Sequence, residues 1–82
     1  MNATKKALAL KNQINDEIMR ELQLGFRKDG SPSKLDSATR WALIDEYEND
    51  ITIKVIGRTD EQIEAGIAKA EAWAEKVRAM LS

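Results

Sequence analysis

Cysteine and histidine are both missing from this sequence, and proline occurs once. Without cysteine there can be no disulfide, thiolate metal site or thiol nucleophile, which fits a reducing, cytoplasmic setting. Without histidine the commonest general base and the commonest transition-metal ligand are gone. The formal net charge is only −1, so no global field draws the chain onto nucleic acid or an anionic membrane, and such binding would need a local patch. Long apolar runs are missing as well. The longest near the N-terminus is Ala7–Leu10, too short for a signal peptide or a membrane span, so no membrane role is expected.

What is present is a globular mixture, 43% apolar and 33% charged over 82 residues, enough for one small domain. Seven Leu and eight Ile supply most of the larger apolar side chains, with four aromatics. A core of that size implies a stability of about 4–12 kcal/mol, and small chains often add to it by association.

The fold class expected is mainly α: a small three-helix bundle, or a helical hairpin that dimerises, with a possible short strand around 51–56. Residues 4–24 form the first helix. Ala7, Leu10, Ile14, Ile18 and Leu22 recur every three or four positions along one face, widened by Leu8 and Met19. Asn2 or Thr4 suits the N-cap, and Gly25 stands where a helix commonly ends in a left-handed residue. Residues 25–34 hold Asp29-Gly30 and Ser31-Pro32 and form the connector, after which a helix starts near Ser31 or Ser37.

Two readings compete for the middle segment: a helix over 35–56, or a helix over 37–49 followed by a strand over 51–56. Trp41, Ile44, Tyr47, Ile51 and Val55 make a helical stripe, whereas Ile51-Thr52-Ile53-Lys54-Val55 alternates and is β-branched. The longer helix is favoured. A lone strand lacks a partner other than residues 22–27 or a second copy. A helix ending near Asn49 would also set Asp45, Glu46, Glu48 and Asp50 at the negative end of its dipole. Gly57 then becomes the terminator. Residues 60–81 form the third helix. Thr59 to Gln62 reads as a capping box, and Ile63, Ile67, Ala70, Ala74, Val77 and Leu81 follow as a heptad seam.

Gly25 and Gly30 are spaced as in a phosphate-binding loop, but the position after Gly30 holds Ser31 instead of Lys and the segment leaves a helix, so that motif is discarded. Arg27, Lys28, Lys34 and Arg40 remain as possible phosphate contacts, with Phe26 able to stack on a base; a solvated connector is the simpler reading. Asp45, Glu46, Glu48 and Asp50 match no calcium loop. They read as a solvated acidic face or an acidic docking patch for a basic partner; no metal and no cofactor are expected.

Trp73, Met80, Tyr47 and Trp41 are the candidates for an interaction surface, though core packing suits Trp41, which belongs to the second helix's stripe. Gly66, Trp73 and Met80 form a second apolar strip beside the seam of the third helix. Either the other two helices cover that strip, or it waits for a partner. No nucleophile stands beside a recognisable base, so an enzyme is not expected. The functional expectation is a non-enzymatic protein–protein interaction module, such as a helical adaptor, inhibitor or small assembly component, binding a protein partner or itself as a homo-oligomer. The alternative is a small nucleic-acid-binding or regulatory protein that uses the basic 27–40 segment, with weak binding.

Overall fold

In the computed structural model, which describes residues 2–82, three helices pack around one core, and no strand is present among the described residues. The first helix begins at Ala3 because the Asn2 side chain accepts a hydrogen bond from the Lys5 N–H at 2.8 Å. It is α-helical over Ala3–Ile14, widens into a π turn over Asn15–Met19 and returns to α over Arg20–Leu24. The π turn adds one residue to the turn, so the neighbours Ile18 and Met19 both face the core with Ile14 and Leu22. Leu8, expected on that stripe, lies outside it at 51% exposure. Gly25 ends the helix as anticipated, at φ +77° with its N–H on the Glu21 carbonyl.

The connector folds back on itself. Arg27 and Gly30 close a turn, Ser33 N–H reaches the Gly25 carbonyl, and Phe26 and Pro32 form an isolated bridge. Asp36 caps the second helix by accepting from the Thr39 N–H at 2.8 Å. That helix is α over Ser37–Glu46 and π over Tyr47–Ile51.

Neither expectation for residues 51–56 holds. The helix does not run to Ile56, and no strand forms over 51–56. At Thr52 the backbone leaves the helix (φ −48°, ψ 125°), and both the N–H and the hydroxyl of Thr52 donate to the Tyr47 carbonyl, at 2.9 and 2.8 Å. The reason is burial. A helix turns about 100° per residue, so Ile51 and Ile53 would point to nearly opposite sides; an extended chain places both on one side. Both are buried, Ile53 to 2% exposure. Burying such a side chain is worth about 1.5–3 kcal/mol, whereas acidic side chains at an exposed helix end cost only about 0.3–1 kcal/mol. The alternation of 51, 53 and 55 is therefore expressed as unpaired chain. Gly57 does adopt a left-handed φ of +74°, but inside a turn closed by Arg58 N–H on the Val55 carbonyl, not at a helix end.

The third helix, Asp60–Leu81, starts with the expected capping box between Thr59 and Gln62. It runs parallel to the first helix, as the pairs Lys6–Glu64 and Glu17–Arg78 show, and antiparallel to the second, as Glu46–Lys76 together with the approach of Ile53 to Gly66 shows. These exposed pairs, at 3.1–3.4 Å, set register more than stability.

Candidate functional site

The aromatic candidates separate. Trp73 is buried to 4% exposure and stacks at a tilt on Tyr47, itself buried, with ring centroids 5.0 Å apart. Met80 is partly buried against the same core, and a Cβ on Gly66 would stand 3.5 Å from Ile53. Tyr47 of the second helix and Ile53 of the chain after it therefore cover Trp73 and Gly66 of the Gly66–Trp73–Met80 strip. Trp73 and Tyr47 are core residues and offer no free interaction surface. Trp41, expected in the core, is 58% exposed. The buried residues of the second helix are Leu43, Ile44, Tyr47 and Ile51, a phase that leaves Trp41 on the flank. Burial pushes the Tyr47 hydroxyl above its ordinary pKa.

The basic candidates are drawn to helix ends. Arg40 donates to the carbonyls of Leu22, at 3.2 Å, and Leu35, at 2.7 Å. Arg27 reaches the Leu81 carbonyl at 3.5 Å and Lys34 the Ser82 carbonyl at 3.0 Å. Three of the four cations thus complement the negative C-terminal ends of the first and third helices. Lys28 shares its cleft with Glu17 and Glu21 as well as Arg27 and Arg78, so carboxylates offset the local positive charge.

Of the acidic candidates, Asp45, Glu48 and Asp50 are exposed, while Glu46 is half-buried and accepts from both Trp73 and Lys76. The Lys76 ammonium, then the Trp73 N–H, hold the Glu46 carboxyl below its ordinary pKa. No cluster of three or more metal-ligating side chains occurs among the described residues.

A different site lies where the first helix meets the chain leaving the second. Thr4, Leu8 and Lys11, one face of the first helix, border a groove of about 590 Å³ whose other wall is Thr52–Ile56 and Arg58. Its apolar lining includes Leu8, at 51% exposure, half-buried Val55 and Ile56, at 96% exposure. Its charged lining consists of Lys11, Lys54 and Arg58, and none of these makes an ion pair among the described residues. Sequence reasoning assigned Leu8 to the core stripe and Ile56 to the end of a helix. The available signal was that both are large apolar residues outside the spacing that Ala7–Leu22 and Ile63–Leu81 follow.

Comparison of the chain with protein-family models, with curated proteins and with solved structures gave no match. No helix among the described residues is long and apolar enough to cross a membrane.

Proposed function

We propose that the chain is a non-enzymatic protein–protein interaction module, an adaptor, inhibitor or small assembly component that acts by presenting surface to a partner protein or a second copy. One observation carries the reading: the core is closed by the chain's own helices, yet Leu8 and Ile56 stand more than half exposed on a single groove. Large apolar side chains gathered at one concave place are the usual mark of a contact site, whereas apolar residues scattered singly carry no such meaning. Trp41, also exposed, is of a type enriched at interface hot spots.

The reading is tested by replacing Ile56, and separately Trp41, with the photo-crosslinking residue p-benzoylphenylalanine and irradiating in the source cells. A discrete protein adduct is expected from at least position 56, lost when Leu8→Glu is added. Irradiation that yields no protein adduct at either position overturns the reading.

A further inference from the structure

We infer that Thr52–Ile56 is a docking edge for an acidic, extended segment of a partner protein, which adds to it as a β-strand and lays alternate apolar side chains into the groove between Leu8 and Ile56. The inference rests on the interaction-module reading above and names the chemistry of the partner.

Backbone hydrogen bonding makes the first part of the case. Among the described residues, the N–H groups of Ile53, Lys54 and Val55 and the carbonyls of Ile53 and Lys54 have no hydrogen-bond partner within the chain; around them only Thr52 N–H and the Val55 carbonyl are engaged. Buried or contact-forming backbone rarely stays unpaired, and an extended segment with free donors and acceptors is a template for another strand. Side chains on this stretch alternate in burial, Ile53 inward, Lys54 outward and Val55 half-buried, while Thr52 is half-buried with its hydroxyl on the Tyr47 carbonyl. In strand addition the main chain supplies affinity and pockets for alternate side chains supply specificity. The groove, lined by Leu8, Val55 and Ile56, is such a pocket.

Charge decides what kind of strand. Lys11, Lys54 and Arg58 line the groove, and no carboxylate does. Glu48 and Asp50 line a separate cleft that also contains Lys54, Arg58 and Lys69. A second copy is the wrong occupant. Antiparallel self-pairing centred on Ile53, Lys54 or Val55 sets Lys54 opposite or diagonal to its own counterpart, and like charges so placed are destabilising. An edge lysine is a common guard against self-pairing. A strand bearing carboxylates turns the same lysine into an attraction.

The test is titration of the uniformly ¹⁵N-labelled chain with a synthetic peptide alternating Glu with Val and Ile, followed by NMR. Two control peptides are used, one with every Glu replaced by Lys and one N-methylated at alternate residues. Saturable binding of the acidic peptide is expected, with the largest amide shifts at Ile53–Val55 and protection from exchange of alternate amides there, Ile53 with Val55 or Lys54 alone, because one strand edge presents every second residue. Affinity should fall at least 10-fold in the Lys54→Glu, Arg58→Glu double variant and with the N-methylated peptide, and the Lys peptide should not saturate. The inference is overturned if the Glu and Lys peptides behave alike, if the shifts centre elsewhere, or if N-methylation leaves binding intact. A crosslinked protein at position 56 without acidic-peptide binding would overturn this inference alone; failure of both experiments would remove the interaction reading too.

Discussion

The indole N–H of Trp73 donates to Glu46 Oε1 at 2.7 Å, and the Lys76 ammonium donates to the same oxygen at 3.1 Å. A half-buried carboxylate on the second helix thereby satisfies the one polar group of the largest side chain in the core. Trp73→Ala removes the ring and its contact with Tyr47, and is expected to cost about 3–5 kcal/mol. Glu46→Ala removes the protein acceptor of a part-buried N–H and should cost about 0.5–1.5 kcal/mol. Chemical denaturation of both variants checks the order.

The acid limb of stability follows from three carboxylates. Glu46 is held below its ordinary pKa by Lys76 and Trp73, Asp36 by the Thr39 backbone N–H, and Asp29 chiefly by the Ser31 hydroxyl. In each the folded state binds its proton less readily than the unfolded chain. Their contribution is present in full above the ordinary carboxylate range of ~4 and is lost as pH falls through the lower folded values. With no histidine or cysteine, no side chain of ordinary pKa titrates between about pH 5 and 8. Thermal midpoints should be nearly flat across that span and fall below about pH 4.5, less steeply in Glu46→Gln.

The two tryptophans should respond oppositely to solvent. Trp41 is 58% exposed and Trp73 4%. In Trp73→Phe the remaining emission should be red-shifted and readily quenched by iodide; in Trp41→Phe it should be blue-shifted and protected. Trp41→Ser should change stability by no more than about 0.5 kcal/mol, the range for surface substitutions.

Two left-handed glycines are expected to differ. A Cβ on Gly57 meets nothing within 4 Å, so Gly57→Ala should cost about 1 kcal/mol for conformation alone. A Cβ on Gly25 would stand 2.9 Å from Arg40 Nη2 and displace a side chain that bonds the Leu22 and Leu35 carbonyls. Gly25→Ala should therefore lower the denaturation midpoint more than Gly57→Ala, and equal losses would contradict this account of the Arg40 contact.

The features legible in the sequence are those decided by residues close together along it. The Thr59–Gln62 capping box, the Gly25 stop and the Ile63–Leu81 seam each need only one turn of helix or one helix face. They were sufficient for a mainly helical, three-helix reading. Tertiary structure alone decided which indole is core, because the phase of the second helix depends on how Tyr47 meets Trp73 across to the third. It also ended the second helix at Ile51, since burying Ile51 and Ile53 together outweighs another helical turn. Likewise the pull of helix C-terminal carbonyls on Arg27, Lys34 and Arg40 exists only once the chain has brought those ends to the connector. Local hydrogen bonds and periodicity are written in neighbouring residues, whereas burial and charge partnership are properties of groups that meet only after folding.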